Sequence, residues 1–209
     1  MMDIKLIAAK GLKILLNPPA LRNCYIDKNA SVCAKSELSN VQIMHCSYIG
    51  YNCFMVNTRI GSFCSIADRC CIGGAMHPIQ RVSTSPVFHK GKNILNTNIA
   101  TFPCIPTLET VIENDVWIGM GCFIKAGVTI HNGAVIGMGS IVTKDIPAYE
   151  IWAGNPARFI RKRFQDEIID ALLKIQWWNW PESKIKQYSV YFDNPAEFIK
   201  ICYDNGEIR

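Results

Sequence analysis

Imidazole and guanidinium groups carry most of the chemistry open to this sequence. Of its four histidines, His77 and His89 share one stretch, residues 73–111, which also holds Gly73, Gly74 and two proline turns, while His45 and His131 stand apart. A neutral imidazole accepts a proton near pH 7, so His77 reads either as a general base or as a hydrogen-bonded surface histidine. Arg158, Arg161, Lys162 and Arg163 set four positive charges in six residues with no acid between them. Guanidinium forks match phosphate oxygens, although a solvated turn before a helix leaves the same pattern. The tetrapeptide Ile118, Gly119, Met120, Gly121 returns 18 residues later as Ile136, Gly137, Met138, Gly139. Glycines so placed either let a ligand approach the main chain or simply permit tight corners. Ten cysteines, just under 5% of 209 residues and without a CxxC pair, read as reduced thiols of a cytoplasmic chain rather than a disulfide scaffold. Four scattered histidines do not readily supply a clustered ligand set, so no metal is expected.

The elements that position these groups follow from a six-residue period. Ile112, Ile118, Ile124, Ile130, Ile136 and Val142 recur every six residues, and four positions after each comes Val116, Cys122, Val128, Ala134, Ser140 or Ile146. Ile26, Val32, Leu38, Ile43, Ile49, Met55, Ile60, Ile66 and Ile72 hold the same phase with two steps shortened to five. A helix would want apolar residues at three and four, so a period of six predicts a parallel β-helix of three hexads per coil. Residues 18 apart then stack one above the other, about 4.8 Å apart, and the two runs make about five coils. Cys53, Cys64, Cys70 and Cys122 fall on the small buried positions, where packing is the expected role. Cys71 and Cys104 fall outside the pattern. Residues 73–111 break the phase and must leave the coil as a long excursion, a length of loop that usually carries function.

The chain is 49% hydrophobic and 19% charged, enough to bury a large core and share some apolar surface with a partner. The net charge of +5 divides into 16 basic and 9 acidic side chains over residues 1–162, against 6 and 8 over residues 163–209. Without a Lys/Arg stripe or interleaved aromatics, this balance does not support nucleic-acid binding. Residues 1–25 form a lead-in whose helix, over residues 3–16, ends at Pro18 and Pro19; charges interrupt it too often for a secretory signal. The coil with its excursion occupies residues 26–162. Residues 163–209 turn helical, with Phe164, Ile168, Leu172 and Ile169, Leu173 on one stripe, Pro181 opening a second helix, and Asn194 with Pro195 opening a third. This appendage is expected to cover the open end of the coil, where edge strands would otherwise invite pairing.

The phased hexads, the run Val116, Trp117, Ile118, Gly119 and the run Ala153, Gly154, Asn155, Pro156, Ala157, Arg158 resemble the hexapeptide-repeat acyltransferases. The segment from Ile60 to Ile66, then His77, Pro78 and Val82 to Phe88, narrows the likeness to the branch of xenobiotic and polysaccharide or sugar O-acetyltransferases. That resemblance covers roughly residues 26–200. It implies a mainly β fold, a left-handed coil, a homotrimer with active sites between subunits, and acetyl-CoA as donor. It assigns the catalytic histidine to His77 and CoA contacts to Met120, Met138, Thr143, Lys144, Arg158 and Arg161. Transfer of acetyl to a hydroxyl of a sugar or polysaccharide precursor is the reading preferred, with membrane contact only if the acceptor is lipid-linked. The alternatives are an antibiotic O-acetyltransferase of chloramphenicol or streptogramin type and a non-catalytic trimeric scaffold. The group that orients His77 is not identified; Glu109 is a candidate because it shares the excursion.

Overall fold

In the computed structural model, which describes residue 12 and residues 16–208, the hexads wind into a parallel β-helix. The helix expected over residues 3–16 falls mainly on residues 1–11 and 13–15, which lie outside the described residues. Short strands of successive coils pair in parallel on three faces. One face stacks Ala20–Arg22, Glu37–Ile43, Phe54–Ile60, Cys71–Gly73, Phe123–Ile124 and Ile141–Val142. Another stacks Ser31–Val32, Tyr48–Ile49, Ser65–Ile66, Trp117–Ile118, Val135–Ile136 and Glu150–Gly154. On the third, Tyr25–Ile26 and Thr110–Ile112 pair with the second halves of Glu37–Ile43 and Phe54–Ile60, and Thr129–Ile130 follows. The stack thus reaches beyond the hexads at both ends.

Stacked residues are 18 apart only in the second run, as in Trp117 with Val135. Before the excursion they are 17 apart, as in Glu37 with Phe54 and Tyr48 with Ser65. The shortened steps are the cause: Glu37–Ile43 and Phe54–Ile60 bend through a corner without a break, with Asn40 and Asn57 at φ 55° and 50°. Asparagine adopts that left-handed conformation more readily than other residues with a side chain. Here Asn23 Nδ2 also donates to Asn40 Oδ1 in the coil above, at 2.8 Å.

Ile43, Ile49, Ile60, Ile66, Ile72, Ile118, Ile130 and Ile136 are fully buried in the columns, each burial stabilising by about 1.5–3 kcal/mol. The thiols at the small positions do more than fill space. Cys53, Cys64, Cys70 and Cys122 donate S–H to the carbonyls of Ala67, Glu113, Gly119 and Gly137 at 3.3, 2.8, 3.3 and 3.2 Å. Ser36 and Ser47 do the same to Gly50 and Gly61 at 2.9 and 2.7 Å. Carbonyls at the corners, turned inward away from water, are thereby satisfied.

The excursion is residues 74–109, slightly shorter than expected, because Gly73 and Thr110 stay in strands. Pairing resumes across it without a slip: Ser65 meets Trp117 and Cys71 meets Phe123. Gly73 takes φ 75° where the chain leaves, and a Cβ there would lie 2.1 Å from the Val56 carbonyl, so only glycine fits.

After the last coil, Glu150–Gly154 folds back onto Ala157–Lys162 as an antiparallel pair. Three helices follow: α1 (Asp166–Ile175), α2 (Glu182–Tyr188) and α3 (Pro195–Asp204). The α1 stripe buries Ile169, Leu172 and Ile175, and Asn194 Oδ1 accepts the Glu197 N–H at 3.2 Å to cap α3. The helices lie against one corner along the side of the coil instead of covering its end. Trp177 packs on Phe63 with ring centroids 4.9 Å apart, and Arg163 donates to Asp115 at 2.9 Å. The end of the coil is extended by the returning strand Ala157–Lys162, which leaves the helices free to use the side. No helix among the described residues is long and apolar enough to cross a membrane.

Candidate active site

The excursion presents His77 on a closed turn. Pro78 is buried beneath it, and its carbonyl accepts the Arg81 N–H at 3.1 Å. His77 itself is exposed, with Nδ1 2.8 Å from the Thr84 carbonyl oxygen. A carbonyl only accepts, so Nδ1 carries the proton and Nε2 keeps a lone pair directed away from that bond. The ring is thus held by a backbone group, with Nε2 of the neutral ring able to accept a proton. Glu109, suggested by its place in the excursion, turns instead to Arg59 at 3.4 Å. No side-chain pattern could have revealed Thr84, because every residue brings a carbonyl.

The excursion is anchored at several points. Asn57 Nδ2 donates to Thr107 O at 3.0 Å, and Leu108 packs against Gly127. Phe102 N–H donates to Phe88 O at 3.0 Å and Lys90 N–H to Phe102 O at 2.8 Å, so residues 88–90 and 102 are joined by an isolated parallel bridge. His89 belongs to this framework, bridging to Phe102. His45 pairs with Asp27 at 3.4 Å and His131 with Glu113 at 3.2 Å, both in turns of the coil, as the spacing implied.

The repeated glycine tetrapeptides occupy one corner of successive coils. Gly139 N–H donates to Met120 O at 2.8 Å and Gly121 N–H to Asp68 O at 2.9 Å. A Cβ on Gly119 would meet Met138 N at 2.6 Å, so this glycine serves close stacking of backbones. Met120 and Met138 are exposed there, one above the other. Thr143 and Lys144 are exposed just beyond Ile141–Val142, and Lys144 Nζ lies 4.9 Å over the Trp152 ring. Trp152 in turn donates from Nε1 to Glu150 Oε2 at 2.7 Å.

The basic cluster divides. Lys162 pairs with Asp166, and Arg163 binds Asp115 Oδ2 and the Gly133 carbonyl while lying 5.3 Å over Tyr149. Those two are structural. Arg158 and Arg161 are exposed, and among the described residues each donates only to a neighbouring carbonyl of its own strand, which leaves most of each guanidinium for another partner. Arg158 sits opposite Ala153, whose Cβ abuts Gly137, and so belongs to the methionine corner. Arg161 sits opposite Ile151, about 10 Å back along the strand. It lines a hollow of about 440 Å3 with Trp117, Val135 and Ile151. The structure therefore gathers Met120, Met138 and Arg158, and sets Arg161 apart beside Trp117.

The thiol at the core position of Cys64 is no competing nucleophile. Burial pushes the Cys64 thiol up to about 12, far from thiolate formation at neutral pH. Cys71 faces outward between Phe54 and Phe123, and Cys104 donates to Lys90 O at 3.0 Å within the excursion.

The repeats and the coil have counterparts among known proteins. The family "Bacterial transferase hexapeptide (six repeats)" matches residues 109–144. A "Probable macrolide acetyltransferase" of Lysinibacillus sphaericus is 42% identical over 65% of this chain and 73% of its own length. A "Chloramphenicol acetyltransferase" of Agrobacterium fabrum is 44% identical over 61% of this chain and 62% of its own, so the chain spans less than two thirds of that relative. In fold, the chain resembles AntD, an N-acyltransferase from Bacillus cereus crystallised with dTDP and 3-hydroxybutyryl-CoA, at a TM-score of 0.51 and 20% identity over 80% of this chain and 94% of that one. With its hexads wound as the left-handed coil, this chain belongs to the hexapeptide-repeat acetyltransferase family.

Proposed function

We propose that the chain is an acetyl-CoA-dependent O-acetyltransferase acting on a hydroxyl of a sugar or polysaccharide precursor, with His77 as general base. The hydrogen bond from His77 Nδ1 to the Thr84 carbonyl carries this reading, because it leaves Nε2 free to accept a proton. A sugar hydroxyl is a poor nucleophile at neutral pH. As its oxygen attacks the acetyl carbonyl, the O–H proton passes to Nε2 and a tetrahedral oxyanion forms. The oxyanion collapses, the C–S bond breaks, and the proton passes from the imidazolium to the departing sulfur, giving free CoA and the acetyl ester. Direct transfer needs no acyl-enzyme.

Met120 and Met138 are assigned to the donor along the backbone of their corner, Arg158 to its phosphates, and Thr143 and Lys144 to the rim beyond. Arg161, beside Trp117, contacts a more distant part of the same donor. The acceptor arrives between subunits of a homotrimer. Ile79, Val82, Ile94, Ile99 and Phe102 project from the excursion into solvent and support that assembly. The ten free thiols fit a reducing cytoplasm.

A second reading, acetylation of an antibiotic, is favoured by the likeness to the chloramphenicol and probable macrolide acetyltransferases. One assay separates them: acetyl-CoA is offered with glycans, nucleotide sugars and chloramphenicol, and free thiol is followed. Turnover of glycans, falling about 10²–10⁴-fold in His77→Ala, is expected. Turnover of chloramphenicol alone reverses the acceptor assignment, and activity that survives the substitution removes His77 from the mechanism.

A further inference from the structure

The turn that holds His77 also holds a cation whose hydrogen-bonding capacity is unspent. Arg81 Nη2 donates to the Pro103 carbonyl at 2.9 Å, and the guanidinium lies 5.5 Å from the Phe102 ring centroid. Arg81 Nη1 is buried and has no partner among the described residues. A buried charged donor left unpaired is costly, and such a group in a folded protein calls for a complement. Arg81 lines a hollow of about 480 Å3 with Gln80, Val82, Ser83, Phe88 and Phe102. Ser83, in the wall of the hollow, is the chain neighbour of Thr84, whose carbonyl holds His77.

The charge around it is one-sided. Residues 74–109 contain Arg81, Lys90 and Lys92 and a single carboxylate, Glu109, which is already paired with Arg59. No acid lines the hollow. A guanidinium with free N–H groups, held on an aromatic ring in a cationic loop, complements a carboxylate or a phosphate and draws such groups inward. Val82, Phe88 and Phe102 give apolar walls suited to the C–H face of a sugar ring.

We propose that Arg81 is a specificity-determining residue that selects acceptors bearing a carboxylate or phosphate close to the acetylated hydroxyl. This rests on the assignment of His77 as the base of an acetyltransferase. It is tested with paired acceptors, one member anionic and the other neutral: glucuronic acid against its methyl ester, and glucose 1-phosphate against methyl glucoside. The wild type is expected to favour the anionic member of at least one pair by about 10- to 100-fold in kcat/KM, the pair showing which anion is read. In Arg81→Gln this ratio is expected to fall to about one, and in Arg81→Lys to recover in part. A structural role alone would lower both members of a pair equally and leave the ratio intact, which overturns the proposal, as does the absence of any preference in the wild type. If no pair is acetylated, the same compounds are titrated against the protein by ligand-observed NMR. Anion binding that is lost in Arg81→Gln then keeps the Arg81 site and removes the sugar acetyltransferase reading, and no binding removes the site.

Discussion

A single hydrogen bond at His77 decides which ring nitrogen is available, and it shows how much of the site could be read from residue types. The proposed base was singled out by its phase-breaking loop together with the family-like motif around it; the Thr84 carbonyl that holds it was not legible, since a backbone acceptor leaves no trace in composition. The corner glycines are a mixed case. Their repeat was visible, but only the contact of Gly119 with Met138 N shows that stacking demands them. Gly119→Ala would push a methyl to within 2.6 Å of that nitrogen. It is expected to displace the methionine corner and raise the apparent KM for acetyl-CoA several-fold, more than it lowers the melting temperature; an unchanged KM would detach this corner from the donor. The core thiols invite the opposite result. Cys64→Ala deletes a buried S–H···O bond of 2.8 Å and a little volume, at a cost of about 1–2 kcal/mol, whereas Cys64→Ser keeps a donor. Activity is expected to follow the melting temperature in both variants. A loss of turnover in Cys64→Ser without a loss of stability would give the thiol a chemical role.

At the scale of elements, spacing was the most informative signal and chain topology the least. The two five-residue steps were visible as a shortened period, yet the 17-residue coil and the asparagine corners that build it appear only when Asn40 and Asn57 are seen at positive φ. The place of α1 to α3 was not legible, because the contacts that fix it join residues far apart in sequence, such as Asp115 with Arg163 and Phe63 with Trp177. Burial raises the Asp115 carboxyl above its ordinary range, and the neighbouring Arg163 opposes that rise. Arg163→Met leaves the carboxylate without its cation and is expected to destabilise by about 1–3 kcal/mol, part of which Asp115→Asn restores in the same background. Equal stability of the single and double variants by denaturant titration would show that the pair does not secure the helices. A second tie lies within them, where Glu207 accepts from Lys184 and from Tyr188. The Lys184 hydrogen bond holds the Glu207 carboxyl below its usual 4.5, so the folded state favours the carboxylate. Its contribution is complete above pH 4.5 and is lost as pH falls through the depressed folded value. The fluorescence of Trp177, Trp178 and Trp180 reports this region directly. Acid loosening below pH 4.5 is expected to be shallower in Glu207→Gln, and an identical acid profile would assign the loosening elsewhere.

The whole molecule presents surfaces that a monomer has little use for. Phe54, Cys71, Phe123 and Ile141 stand in register on one outer face, and Phe54 and Phe123 are each about half exposed. The excursion adds Val82 and Ile94, both nearly fully exposed. With only 19% of residues charged, the chain has little polar surface with which to cover them. Under the proposed trimer, His77 leaves its own coil on the excursion and meets the donor corner of a neighbour, so each site combines the loop of one chain with the Met120, Met138 and Arg158 corner of another. This division can be tested without a structure of the assembly. His77→Ala removes the base but keeps the donor corner, while Arg158→Ala weakens the donor corner but keeps the base. When the two variants are mixed after reversible dissociation, random assembly unites an intact loop with an intact corner at about one interface in four, so about a quarter of wild-type activity returns at limiting acetyl-CoA. If base and donor corner belong to the same chain, every site keeps one defect and the mixture stays at the average of the two variants. Sedimentation of the mixture distinguishes failure to complement from failure to reassemble. An Ile94→Asp variant, placing a charge on an exposed apolar position of the excursion outside the Arg81 hollow, is expected to shift the trimer towards monomer and to lower activity in proportion to the dissociated fraction.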